Sequence, residues 1–240
     1  SHASMPIGAY SEKHIMPENK LVPVPDGVSD EVASCVTLKG ITAEYLLHRA
    51  YPLKKGDKVL YHAAAGALGQ ILCPWANSIG AEIIGTVGSK EKEEIAKKNG
   101  CHHVINYTDK NFVEEVEKIV GKNGIDVVYD GVGLKTFEGS IEVLKIRGMM
   151  VAFGNASGYV DTIDVKKHIN AKGLFFTRPS IAHYTIEREE LLESAKKVFD
   201  AVLSGKFKIE ISKKYSLEEV RQAHEDLEGR LLTGPAVIKP

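Results

Sequence analysis

Val59-Leu60-Tyr61-His62, followed by Ala63-Ala64-Ala65-Gly66-Ala67-Leu68-Gly69, joins an apolar strand pattern to a helix through a run of small side chains. Such a turn can hold a dinucleotide. Gly66 lets the backbone turn sharply and Gly69 lets the next helix lie close on the sheet, so a pyrophosphate could meet helix N-terminal amides. The G-x-G-x-x-G fingerprint is incomplete, because Ala64 stands where its first Gly would be. Alone, the motif marks either a packing turn or a cofactor site. Further along, where an NAD-binding turn of this kind places Asp or Glu on the ribose 2′-hydroxyl, the chain reads Thr86-Val87-Gly88-Ser89. Nothing there repels a 2′-phosphate. Lys90 and Lys92 fall in the first turn of the next helix, where the dipole disfavours each cation by roughly 0.3 to 1 kcal/mol unless an anion binds nearby.

The elements that must position these residues follow from periodicity. Strands are expected at Lys58 to His62, Glu82 to Val87, His103 to Asn106, Ile125 to Asp130 and Met149 to Phe153, with a sixth at Leu174 to Thr177. Helices are expected between them, at Ala67 to Ile79 with a bend at Pro74, Lys90 to Lys98, Phe112 to Val120 and Thr136 to Ile146. Asp126-Val127-Val128-Tyr129 is apolar on both faces, which predicts an α/β fold: a Rossmann, doubly wound parallel sheet with helices on both faces. Ligands then bind along the carboxyl edge of the strands. That edge collects the glycine turn, Gly88-Ser89, Asn106-Tyr107, Gly131-Val132-Gly133 and Phe153-Gly154-Asn155; the last loop should lie beside a nicotinamide, with a plain turn as the competing reading.

Outside the alternation, Pro17, Pro23 and Pro25 punctuate an extended stretch that reads as edge strands. Ser29 or Asp30 caps a helix beginning at Glu31, and a second helical run covers Ile41 to Arg49. The tail predicts a helix from Glu187 to Leu203, short strands near Lys208 to Ile211, a helix from Leu217 to Glu228 and a strand Ala236 to Ile238.

Composition removes several classes of function. The net charge of −1 gives no broad electrostatic case for nucleic acid or an anionic membrane, so the expected partners are small molecules. Cys35, Cys73 and Cys101 lack paired spacing and read as reduced, cytosolic thiols. No signal peptide is expected, no apolar run is long enough to span a bilayer, and the expected location is cytoplasmic. His102 and His103 are neighbours on a strand and point to opposite faces, so with Cys101 they do not make a metal site. No G-x-S-x-G nucleophile elbow is present.

Taken in order, Gly8-Ala9-Tyr10-Ser11-Glu12, Leu38-Lys39-Gly40-Ile41-Thr42-Ala43, the A-A-A-G-A-L-G turn, Gly85-Thr86-Val87-Gly88-Ser89, Val104-Ile105-Asn106-Tyr107, Val128-Tyr129-Asp130-Gly131-Val132-Gly133, Phe153-Gly154-Asn155-Ala156-Ser157-Gly158 and Thr177-Arg178-Pro179-Ser180 cover almost the whole chain. Together they resemble the medium-chain dehydrogenase/reductase superfamily, and within it the zinc-independent NADPH:quinone oxidoreductases related to zeta-crystallin. The turn in that family usually reads A-A-x-G-G-V-G, whereas Ala67 and Leu68 stand here, with a modest loss of affinity as a consequence. Near the end the family commonly has a Gly-Lys pair where this chain has Gly234-Pro235.

The resemblance implies NADPH as cofactor, with Ser89, Lys92 and Tyr107 at the 2′-phosphate, Gly66, Ala67, Leu68 and Gly69 at the pyrophosphate, and Thr42, Val132, Phe153, Gly154, Asn155, Phe176 and Arg178 along the rest of the cofactor. A solvated Lys92, a strand-end core role for Tyr107, a helix-start cap at Thr42 and an interface role for Phe175 are the competing readings. The resemblance further implies residues 1–40 as a remnant of an N-terminal GroES-like catalytic domain and linker helix, residues 41–180 as the dinucleotide-binding domain, and residues 181–240 as a segment returning to the catalytic domain. Most of that catalytic domain has no counterpart before Met5, so weak or no turnover is expected and no catalytic acid or base is assigned. The expected substrate is a quinone or another electron-poor alkene, with a homodimer formed through the sixth strand. A non-catalytic, crystallin-like NADPH binder and a 2-alkenal or enoyl reductase are the rivals.

Overall fold

The computed structural model describes residues 8–229 and 231–240. It divides into two compact units, one of residues 46–65 and 72–180 and the other of residues 1–45, 66–71 and 181–240.

The first unit carries strands β1 (Lys58–His62), β2 (Glu82–Val87), β3 (His103–Asn106), β4 (Ile125–Asp130), β5 (Leu144–Ala152) and β6 (Phe175–Thr177). They form a six-stranded sheet in the order β3-β2-β1-β4-β5-β6, every pair parallel. The central pairs run apolar against apolar: Leu60 lies opposite both Ile84 and Val128. Strands buried on both faces need helices on both faces. Helices α3 (Lys90–Lys98), α4 (Phe112–Val120) and α5 (Phe137–Val143) follow strands β2, β3 and β4. Leu60, Ile84, Val116, Val128, Phe137 and Met150 belong to the resulting core. Consecutive strands leave β1 in one direction as far as β3 and resume on its other side at β4, so the switch point lies between β1 and β4, where a doubly wound sheet opens a crevice at its carboxyl edge.

One expectation in this unit is corrected. Helix α5 stops at Val143, and the chain is already extended at Leu144, which pairs with Ile125. Two tertiary contacts decide it. Lys172 Nζ donates to the carbonyls of Ile141 (3.2 Å), Glu142 (2.5 Å) and Leu144 (2.9 Å), capping the helix end with a cation, and Arg147, in the left-handed region at φ 62°, donates its amide to Lys172 O at 2.9 Å.

In the second unit, helix α1 (Asp30–Tyr45) is a single helix, not the two helical runs expected around Ile41. Gly40 does not break it. An added Cβ there would collide with Val198 of α6 (Arg188–Leu203), so the glycine serves the packing of α1 on α6. The carboxylate of Glu44, fully buried on α1, accepts from Ser194 Oγ at 2.7 Å and Lys197 Nζ at 3.3 Å of the same α6. Glu187 and Glu190 close a capping box at the start of α6. The expected edge strands in the proline stretch are absent between residues 8 and 25, which hold only a 3₁₀ turn, Glu18–Lys20; residues before 8 lie outside the described ones. Three prolines remove the donors a ladder needs. The tail strand expected near Lys208 is instead β7 (Lys213–Ser216), parallel to β8 (Ala236–Lys239). Helix α7 (Val220–Glu228) packs on both strands, and Asp226 accepts from Lys213 (2.7 Å), Tyr215 (2.5 Å) and Gln222 (2.7 Å). Those donors, Lys213 first, hold its carboxyl down at about 2. No helix among the described residues is long and apolar enough to cross a membrane.

Candidate dinucleotide site

The turn after β1 departs from its sequence reading in one respect. The left-handed residue is Ala63, at φ 63°, not Gly66. That conformation costs an L-residue roughly 1 to 2 kcal/mol, and the contacts after it hold it in place. Ala64 N donates to Thr86 O at 3.0 Å, extending the β1–β2 ladder by one bond, and Asn99 Nδ2 donates to Ala64 O at 3.1 Å. A side chain at Gly85 would stand 2.6 Å from Ala64 Cβ and 2.7 Å from Cys101 Sγ, so only glycine lets the turn rest on β2. Gly66 is exposed, Ala67 and Leu68 are half-buried, and Gly69 is buried at the start of α2 (Gly69–Ile79). Helix α2 starts two residues later than expected, although Gln70 N already bonds Gly66 O at 3.1 Å.

At the end of β2 there is no acid. Gly88 lies under the Tyr107 hydroxyl, 2.6 Å from where its Cβ would be, and Tyr107 itself is 46% exposed, which leaves its ring on the surface and not in the core. Ser89 is the N-cap of α3, with extended backbone and no side-chain cap bond. The Glu91 amide and the Ser89 hydroxyl hold the Glu91 carboxyl below the usual carboxylate range, so a side-chain anion interacts with this helix start. Lys92 follows on the same turn, half-buried. Ser89 and Tyr107 thus flank Gly88, with Lys92 in the first turn of α3.

The loops after β4 and β5 are bonded to each other. Phe153 N and Gly154 N donate to Asp130 O (2.9 and 3.2 Å), and Ser157 donates to Val132 O through both its amide (2.8 Å) and its hydroxyl (2.9 Å). Val132, Phe153, Gly154 and Asn155 are thereby collected at one place on the carboxyl edge. Phe153 stacks on Tyr61 at 6.4 Å. Beside it, a cavity of about 230 Å³ is lined by Gly154, Asn155, Tyr159, Phe176 and Arg178, among others. Arg178 Nη1 donates to Ala152 O at 2.9 Å, while Phe176 meets Phe137 edge-on at 6.3 Å. Phe175 points outward, 56% exposed. In the other unit, Thr42 lies in the last turns of α1 and donates to Leu38 O at 2.9 Å, so it is not a helix-start cap.

Sequence reasoning missed a buried polar chain beneath this edge. Asp130, fully buried, accepts from Val132 N (2.7 Å) and Gly133 N (2.9 Å) on one oxygen and from Thr136 Oγ1 (2.7 Å) on the other. Ser140 Oγ donates to Thr136 O at 2.7 Å, so its oxygen accepts from His62 Nε2 at 2.9 Å, and His62 Nδ1 accepts from Thr86 Oγ1 at 2.8 Å. That assigns a neutral imidazole protonated on Nε2. Burial pushes the His62 pKa down, with Asp130 opposing. The available signal was a histidine closing an otherwise apolar strand.

The sign of the linkage follows. A histidine held neutral in the folded state contributes fully above its unfolded pKa of about 6.5, and stability falls below that by up to about 1.4 kcal/mol per pH unit. Urea midpoints of the wild type should therefore drop between pH 7.5 and 5.5 by more than those of His62→Asn. Parallel curves would show that His62 does not carry the loss.

Three or more His, Cys, Asp or Glu side chains placed to hold a metal ion do not occur among the described residues. His102 Nδ1 accepts from Ile83 N at 3.0 Å, His103 pairs with Glu82 at 3.2 Å, and the three cysteines are free and buried.

Comparison with known proteins bears on the whole chain. Residues 67–203 match the family described as zinc-binding dehydrogenase, although the described residues do not provide a donor set that fits zinc. The 2-haloacrylate reductase of Burkholderia sp is 45% identical over 238 residues, 98% of this chain and 72% of that protein. Quinone oxidoreductase 1 of Escherichia coli (strain K12) is 41% identical over 242 residues, 100% of this chain and 74% of its own length. The crystal structure of Escherichia coli quinone oxidoreductase complexed with NADPH superimposes with a TM-score of 0.93 at 41% identity, covering 99% of this chain and 74% of that one. A parallel sheet in this order, a small-residue turn after its first strand and relatives this similar along nearly every residue have one explanation: the chain belongs to the zinc-binding dehydrogenase family of the medium-chain dehydrogenase/reductase superfamily.

Proposed function

We propose that this protein is a zinc-independent, NADPH-dependent oxidoreductase that reduces a quinone. The observation that carries this reading is the carboxyl edge of the sheet: an acid-free β2 end where Ser89 and Tyr107 flank Gly88, with Lys92 in the first turn of α3. The relative crystallised with NADPH supports the cofactor. When bound, the reduced nicotinamide supplies the hydride, which with one proton converts the quinone to its hydroquinone. The chain's own residues hold and orient. Gly66 to Gly69 accommodate the pyrophosphate at the start of α2, Ser89, Lys92 and Tyr107 take the 2′-phosphate, and Val132, Phe153, Gly154, Asn155, Phe176 and Arg178 border the nicotinamide half, with Thr42 on its amide. Residues 41–180 then serve as the cofactor domain, and residues 1–40 and 181–240 as parts of the catalytic domain. The three-residue edge strand β6, with Phe175 exposed, is the proposed homodimer seam of a cytoplasmic enzyme.

A second reading, reduction of an electron-poor alkene by hydride to one carbon and a proton to the other, is favoured by the 45% identity to a 2-haloacrylate reductase. Steady-state oxidation of NADPH by the full-length protein, with 1,4-benzoquinone and 2-chloroacrylate offered separately, decides between them. Bound NADPH with no oxidation above the blank on either acceptor would leave only a non-catalytic binder.

A further inference from the structure

Within the six-stranded unit, two of the three cysteines lie side by side. Cys73 sits on α2 and Cys101 just before β3. The chain is brought against the helix at Gly100, in the left-handed region at φ 88°, where a Cβ would stand 3.7 Å from the Cα of Pro74. Cys101 is thereby set beside Cys73, and the two thiols are hydrogen-bonded to each other. Gly85 of β2 makes room for the pair, because a Cβ there would stand 2.7 Å from Cys101 Sγ. The backbone around Cys101 is held as well: its amide donates to Ala96 O at 3.2 Å, and that of His102 donates to Ile83 O at 2.9 Å. Cys35 belongs to the other unit.

Hydride transfer as proposed above uses neither thiol. Cys73 is wholly buried and Cys101 is 7% exposed, so an oxidant meets Cys101 first. The hydrogen bond with Cys101, and then burial, push the Cys73 thiol up, which keeps it protonated and slow to react. Pro74 takes an amide donor out of α2 next to Cys73 and weakens the helix at the point where that sulfur must move.

We propose that Cys73 and Cys101 are a redox pair that closes to a disulfide under hydrogen peroxide and locks α2 to the start of β3. The Cys101 sulfur attacks peroxide: an S–O bond forms, the O–O bond breaks, and one water leaves with the thiol proton, giving a sulfenic acid. The Cys73 sulfur then attacks that sulfur, the S–O bond breaks, and a second water carries off the Cys73 proton. Two thiols lose two electrons, and one peroxide becomes two waters. The cross-link closes the segment that carries β2 and α3, which restricts the unfolded chain.

The test treats the full-length protein with hydrogen peroxide, then unfolds it in urea with N-ethylmaleimide and reads the mass and the linked peptides. Reduced wild type should take the label on all three cysteines and oxidised wild type on Cys35 alone, with dithiothreitol restoring the other two. The urea midpoint of the oxidised form should rise by about 1 M, the equivalent of an ordinary disulfide. Cys35→Ala should behave as the wild type does, whereas Cys101→Ala should form no intramolecular link and show no rise. Three labelled thiols after peroxide, oxygen added to one cysteine without a link, or a link through Cys35 overturns the pair. A Cys73–Cys101 link with an unchanged midpoint overturns the lock. Both readings come from the wild type, so they stand even where a variant folds poorly.

Discussion

Lys92→Ala is expected to weaken NADPH by about 10- to 100-fold, the equivalent of losing one charged hydrogen bond of about 1.5 to 3 kcal/mol, while NADH binds as before. The reason lies in the first turn of α3. Ser89 leaves the helix start without a side-chain cap, and the carboxyl of Glu91 is the anion that this start now stabilises. A 2′-phosphate brought there competes with that carboxylate, so the helix amides alone do not favour it. On the proposed reading Lys92 tips the balance, because its charge opposes the helix dipole until a phosphate arrives. Fluorescence titration of both cofactors reads the difference directly. An equal loss for NADH, or no loss for NADPH, would remove Lys92 from the 2′-phosphate.

Asp130→Ala is expected to destabilise the six-stranded unit by about 3 kcal/mol or more, because buried donors left without an acceptor cost about 1 to 3 kcal/mol each. Three donors lose their acceptor together: the amides of Val132 and Gly133 and the hydroxyl of Thr136. The Asp130 side chain is fully buried, so the groups it accepts from are left unpaired away from bulk solvent. Because the Asp130 carbonyl also receives Phe153 N and Gly154 N, the loops after β4 and β5 should loosen together, and NADPH affinity should fall with stability. Asp130→Asn keeps one acceptor oxygen and should cost less. Urea unfolding followed by far-ultraviolet circular dichroism gives the ordering; a loss below about 1 kcal/mol for the alanine variant, the value of one ordinary hydrogen bond, would mean the network is not what holds the edge.

The two experiments probe parts of the site that differ in how far they could be read from residues. Ser89, Lys92 and Tyr107 are visible as types in sequence, since a missing acid and a lysine in a first turn are local facts. Their neighbourhood is not, because the hydroxyl of Tyr107 reaches Gly88 only after β3 pairs with β2. Asp130 and its partners Val132, Gly133 and Thr136 are close in sequence, yet the next members of the chain, Ser140, His62 and Thr86, come from other elements, and nothing local marks them as connected.

By itself the sequence determined the alternation of strands and helices, the parallel sheet and the small-residue turn, because runs apolar on both faces and glycine punctuation depend on residues a few positions apart. Tertiary structure decided that α1 runs through Gly40, where Val198 needs the space, and that α5 ends at Val143, where Lys172 caps it. It also moved the sharp bend of the opening turn from Gly66 to Ala63. A left-handed alanine is locally unfavourable, and it persists here because Thr86, Asn99 and the bare surface of Gly85 hold the next residue against β2. Periodicity reports which face a residue takes, whereas packing between distant segments decides which unfavourable local conformation is kept.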